Sequence, residues 1–114
     1  MARFSSVELP AANFAATKEF YTGAFGWVLT DFGPTYARTL SGDVGLGLSG
    51  ETDEGLAAPL AVIEVDDLDA VLEAVRAAGG TIVKPVFTFP GGRGFHFKDP
   101  SGNELAVSQD DPAS

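Results

Sequence analysis

The sequence repeats itself, and this constrains the fold more than any other feature. Gly26 and Gly80 each follow a stretch with helical spacing, and they stand 54 residues apart. The same offset pairs Asn13 with Asp67, Phe14 with Leu68 and Glu19 with Glu73. Further along the offset becomes 60, where SGDVGLGL from Ser41 lies over SGNELAV from Ser101. Caps, helix stops and turns recur in the same order, as expected of a duplicated structural unit.

The second copy shows what the unit is. PLAVIEVDD (Pro59–Asp67) is an apolar run rich in Val and Ile, and reads as a strand. Asp67 then offers an N-cap, and Leu68, Val71, Val75 and Ala78 fall at helical spacing. Gly79-Gly80 ends that helix, because glycine takes the left-handed position cheaply. TIVKPVF (Thr81–Phe87) is a strand in which Pro85 marks an edge or a bulge. FPGGRG (Phe89–Gly94) is a tight turn or a mobile flap, and GFHFK and ELAVS are two more strands around DPSGN (Asp99–Asn103). The order is β-α-β-β-β. The first copy has the same order: RFSSVELP, a helix from Asn13 to Gly26, then WVLTDF, TYARTL and VGLGLS. The fold class expected is therefore α+β. One domain spans 1–114, with module one at about 2–50, a polar linker at about 50–58 and module two at about 59–109. The polar tail from about Gln109 is expected to fray. Phe25, Trp27 and the phenylalanines at 87, 89, 95 and 97 are expected mainly in the core, although Phe87 or Phe89 could line a cleft mouth.

Composition excludes several functions. With no cysteine, the chain has no disulfide framework, thiolate zinc site or cysteine nucleophile. Its net charge is −9 and its seven basic residues are scattered, which argues against nucleic acid and anionic membrane surfaces as partners. No run approaches the roughly 18–20 apolar residues of a membrane span, and the N-terminus lacks a signal-peptide h-region. The expected location is cytoplasmic.

FYTGAFGW after the first helix, VDDLDAVLEAVRAAGG for the second and GFHFKDPSGNELAV near the end together resemble the vicinal oxygen chelate superfamily. That group includes glyoxalase I, bleomycin-binding proteins and extradiol dioxygenases. The resemblance covers nearly the whole chain. It implies two curved mixed sheets forming a half-barrel around a cleft, with a helix behind each. It also implies a small-molecule ligand and a homodimer, and it does not name a reaction.

The resemblance further implies a divalent metal held by the first and last strands of each module. Carried onto this chain, those positions are Ser6, Leu60, Ala106 and, three past Asp43, Leu46. A metal in an open site needs carboxylate or imidazole donors. None of the four supplies one, so no metal and no other cofactor is expected.

Other polar residues remain for the cleft. Strand alternation places Glu8 with Ser6, and Glu104 with Ala106. By resemblance, His96 is a ligand-contacting residue three before Asp99, and Tyr36 is its repeat mate at an offset of 60. Lys98 and Arg38 share their parity and read equally well as surface charges. Glu8 in an apolar strand is unusual, since an isolated buried carboxylate is costly, so it faces a solvated cleft or pairs with Arg38 or Lys98. His96 reads either as a structural histidine or as a functional one.

Two functions stay open. One is a metal-free protein that captures an apolar or aromatic molecule, for which Leu46, Leu60 and Ala106 are suitable lining. The other is a lyase or isomerase with His96 or Glu8 as general base, with or without a variant metal site of Glu8, His96 and Glu104. Without a metal to stabilise an enediolate, the glyoxalase I reaction itself is disfavoured. An accessory or sensory module without turnover is the plainest alternative.

Overall fold

The structure, a computed structural model, describes residues 2–40, 42–50 and 58–112. Most of the expected linker, 51–57, lies outside the described residues. The β-α-β-β-β order occurs twice. The first set is β1 (Arg3–Pro10), α1 (Phe14–Phe25), β2 (Thr30–Asp31), β3 (Tyr36–Arg38) and β4 (Gly45–Ser49). The second is β5 (Leu60–Glu64), α2 (Leu68–Ala77), β6 (Thr81–Phe89), β7 (Gly92–Lys98) and β8 (Glu104–Asp110). Contacts divide the chain into two compact units, residues 5–60 and residues 1–4 with 61–114. No helix among the described residues is long and apolar enough to cross a membrane.

In the second unit the strands run β5-β8-β7-β6, with β5 and β8 parallel and the other neighbours antiparallel. The Asp67 carboxylate accepts from the Ala70 N–H and caps α2, as its position in the sequence predicts. α2 lays Leu68 and Leu72 on the sheet, where they meet Val65, Phe95 and Val107 to form the core. Ile63, Ile82 and Phe97 pack around that cluster. Pro85 lies on the edge strand β6, whose register shifts between Ile82 and Lys84 and again between Lys84 and Phe87. Both properties suit a residue that cannot donate to a ladder. The Asp99 carboxylate closes the DPSGN turn by accepting from the backbone N–H of Ser101 and of Asn103. PGGRG is a tight turn of Pro90 and Gly91, and β7 begins at Gly92. Of the expected polar tail, Gln109 and Asp110 belong to β8. The Gln109 side chain accepts from the Leu68 N–H at the start of α2.

The first unit runs β2-β3-β4-β1, with β1 and β4 parallel. Its buried apolar residues are small or few: Ala11, Ala37, Leu48 and Leu60. WVLTDF and TYARTL shorten to strands of two and three residues. Asn13 stands at the N-cap of α1 without a side-chain cap bond, and Gly26 ends the helix at φ +72°. α1 buries no residue. Phe25 and Trp27, expected in the core, are 57% and 43% exposed. They stack instead on each other and on Tyr21, with ring centroids 5.0–6.1 Å apart. Hydrophobicity reports which side chains gain from burial; it does not say which surface covers them.

The ladders also correct the repeat. Glu8 lies opposite Gly47, and Gly47 opposite Arg38. In the second unit Val62 lies opposite Ala106, and Ala106 opposite His96. Glu8 and Val62 are 54 apart, so the true mates are Gly47 with Ala106 and Arg38 with His96, at offsets of 59 and 58. The buried pairs agree, Ala37 with Leu48 and Phe95 with Val107. The letters SGD and SGN match as turns, but Val44 is an extra residue before β4. A slip of one residue moves a strand's side chains to the other face. Leu46 is therefore on the face opposite Glu8 and is not a mate of Ala106. Tyr36 is displaced from His96 by two residues, which keeps its face, so its mate is Gly94.

Candidate functional site

Each unit carries a polar centre on one face of its sheet. In the first unit this face holds Ser6 and Glu8 of β1, Gly45 and Gly47 of β4, and Tyr36 and Arg38 of β3. β4 runs between β1 and β3, and the Glu8 side chain reaches across it. The Tyr36 hydroxyl donates to Glu8 Oε1 at 2.9 Å and is 3.2 Å from Oε2. Gly47 makes that crossing possible. A Cβ at this position would overlap the Glu8 carboxyl and come within 2.6 Å of the Tyr36 hydroxyl. Of the two alternatives for Glu8, a solvated cleft or a pair with Arg38 or Lys98, the direct polar partner found is instead the Tyr36 hydroxyl. Arg38 is exposed and lies over the Phe32 ring, 4.9 Å from its centroid.

Burial pushes the Glu8 carboxyl above the usual carboxylate range; the Tyr36 bond and the Arg38 charge offset part of that. Burial, then the Glu8 charge and hydrogen bond, push the Tyr36 hydroxyl far up. Stability depends on pH accordingly. A carboxyl whose folded pKa is raised adds stability below its unfolded pKa, and loses it as pH rises through the folded value. Wild type should therefore lose stability relative to Glu8→Gln as pH climbs from about 4 towards neutrality. Urea midpoints across that range check this, and a pH-independent difference between the two proteins refutes it.

In the second unit Ile63, Phe95, Phe97 and Val107 face α2, so alternation turns Val62, Gly94, His96, Glu104 and Ala106 to the opposite face. His96 Nδ1 is 3.1 Å from Glu104 Oε2. The His96 side chain is only 12% exposed, and that of Glu104 44%. The ring of Phe87 meets His96 edge-on at 5.7 Å, and Phe89 lies 6.0 Å from Phe87. Lys84 Nζ covers the Phe87 ring at 4.3 Å. Gly94 lets these rings lie close over β7, since a Cβ there would stand 3.3 Å from Phe87 Cζ and 2.9 Å from the Val107 carbonyl.

The structure thus joins Glu8 with Tyr36, and His96 with Glu104. Leu60 and Ala106 are buried, Ser6 is half-buried and Lys98 is exposed. Gly47 and Lys84 are the residues that sequence reasoning missed. A Gly-x-Gly inside a strand was the available signal, since glycine there marks a close approach of another group.

A profile of the Glyoxalase/Bleomycin resistance protein/Dioxygenase superfamily matches residues 3–107. The chain belongs to that superfamily. CFP32 of Mycobacterium tuberculosis, named as a candidate glyoxylase, is 32% identical over 90% of this chain and 44% of its own length. The anthracycline biosynthesis protein DnrV of Streptomyces peucetius is 31% identical over 88% of this chain and 44% of its own. The chain thus spans less than half of the curated relatives it matches. Among solved structures, methylmalonyl-CoA epimerase of Mycobacterium tuberculosis superposes with a TM-score of 0.72, over 96% of this chain and 88% of that one, at 16% identity. The Mn(II)-bound glyoxalase of Novosphingobium aromaticivorans gives 0.61 over 96% of this chain and 38% of that one, at 24% identity. These last two likenesses speak for the fold.

The residues at the superfamily's metal positions do not fit a divalent ion. With the register corrected, the positions are Ser6, Gly47, Leu60 and Ala106. They offer one hydroxyl between them, and the space a side chain at 47 would need is filled by the Glu8 carboxyl. Among the described residues no three His, Cys, Asp or Glu side chains gather as a metal site.

Proposed function

We propose that this superfamily member binds a small, flat aromatic molecule without a divalent metal. The observation that carries this is the face of β6, β7 and β8 turned away from α2. Phe87 and Phe89 border it, Gly94 and Ala106 keep its floor low, and one His96–Glu104 pair supplies polarity. Few polar groups on an apolar surface is the usual make-up of a small-molecule site. The name of DnrV, an anthracycline biosynthesis protein, makes polycyclic aromatics the first class to test.

Daunorubicin is a suitable fluorescent probe. A ligand at 100 times its Kd stabilises the native state by about 2.7 kcal/mol, which a thermal-shift assay reads readily. Phe87→Ala should abolish the shift and leave the unliganded melting curve close to wild type, because Phe87 lies outside the core cluster. If planar aromatics leave the melting temperature of the wild type unchanged, the reading is wrong.

A second reading, a lyase or isomerase, rests on the His96–Glu104 contact. A carboxylate beside Nδ1 favours the tautomer protonated there and leaves Nε2 as a base. Turnover of any substrate that disappears in His96→Ala while binding persists would favour it.

A second copy of the chain is the partner we propose. Phe20, Phe25 and Trp27 are 59%, 57% and 43% exposed and form one aromatic group. The curated relatives are long enough for two stretches of this size. Light scattering should give twice the 11.8 kDa chain mass, and Trp27→Glu should return it to the single-chain value. A wild-type monomer at 100 µM, well above ordinary dimer dissociation constants of about 1 µM, overturns the dimer.

A further inference from the structure

We propose that Glu8 and Tyr36, laid across Gly47, form a recognition site for a primary ammonium group. This goes beyond the function proposed above, whose aromatic face belongs to the other unit. The site is built. Its position on β4 must be glycine for the carboxyl to reach Tyr36, so three strands contribute to one polar centre.

The carboxylate in that centre is under-used. An ionised carboxylate accepts at about four lone-pair positions. Among the described residues, Glu8 receives one hydroxyl donor, from Tyr36. It is half-buried, and a desolvated carboxylate gains most from an opposite charge within hydrogen-bond reach. Within the unit, Arg38 lies against Phe32; its charge acts on the Glu8 carboxyl, but among the described residues no close ion pair joins the two. Lys18 is committed to Asp31 at 2.8 Å. The remaining acceptor positions are therefore open to a cationic donor from outside. A primary ammonium, with three N–H donors and a compact charge, matches them. The net charge of −9 draws cations to the protein and discourages anionic ligands.

The test is a carboxyl-detected NMR titration of the whole chain, labelled with ¹³C and ¹⁵N, at pH 7. Benzylamine and benzyl alcohol are the probes, since they differ in charge and little in shape. Benzylamine should shift the Glu8 carboxyl carbon and the Gly47 amide, at least tenfold more tightly than the alcohol. In Glu8→Gln, which keeps the side-chain shape, the two probes should become equivalent while the amide spectrum stays dispersed. Equal affinities for the wild type, or an amine preference that survives in Glu8→Gln, overturn the site. The aromatic reading fails separately. If planar aromatics stabilise the protein and the benzylamine preference is absent, only the ammonium site is lost. If the preference is present and planar aromatics do nothing, only the aromatic reading is lost.

Discussion

Gly47→Ala should destabilise the protein by about 1–3 kcal/mol, although alanine is ordinarily the better residue in a strand interior. The new Cβ would occupy the position of the Glu8 carboxyl and crowd the Tyr36 hydroxyl. Glu8 must then swing away from Tyr36, losing a hydrogen bond to a charged group worth about 1.5–3 kcal/mol, or β1 and β4 must part. Both outcomes depend on Glu8, so the second substitution is decisive. Glu8→Ala removes the obstacle, and Glu8→Ala/Gly47→Ala should be more stable than the sum of the single effects predicts. Neighbours that share one space usually couple by about 0.5–3 kcal/mol. Urea denaturation of the four proteins measures the cycle. A Gly47→Ala protein as stable as wild type, or strictly additive effects, would show that Gly47 does not make room for Glu8.

The largest loss of stability should come from Phe95→Ala, at about 3–5 kcal/mol. Phe95 is fully buried and sits between Leu68 and Leu72 of α2 and Val107 of β8 in the only core cluster among the described residues. Its removal leaves a cavity that a packed helix and a hydrogen-bonded sheet cannot close. A domain this size commonly has about 5–15 kcal/mol in all, so the variant should be near its unfolding limit at room temperature. Phe20→Ala is the control. It deletes the same ring from a residue 59% exposed, and should change stability by about 0.5 kcal/mol or less in a monomeric sample. Urea midpoints compare the two. Equal losses in the two variants would mean that the core does not centre on Phe95.

The elements of module two were legible in the chain because local chemistry announces them. Asp67 caps, Gly79 takes φ +102°, and the Asp99 carboxylate folds its own turn. These devices act over a few residues, so the letters carry them. α1 was legible as a helix, but its burial was not. Phe25 and Trp27 have the composition of core residues, and what lies above them depends on groups remote in sequence or on another chain.

The candidate site divides in the same way. The sequence by itself determined that the chain is a doubled β-α-β-β-β unit, and that Ser6, Leu60 and Ala106 offer little to a metal. It also singled out Glu8 as a carboxyl with no local reason to be in an apolar strand. Only the tertiary structure decided its partner. Matching turns put Leu46 with Ala106 and Tyr36 with His96, yet one extra residue, Val44, turns β4 over and presents Gly47 to Glu8 instead. Strand pairing has a period of two, so a single residue in a loop leaves every helix and turn signal intact and exchanges the faces of the strand that follows. The repeat therefore reads clearly at the level of elements, while the identity of the side chains that meet is set by ladder register, which depends on residues far apart in the chain.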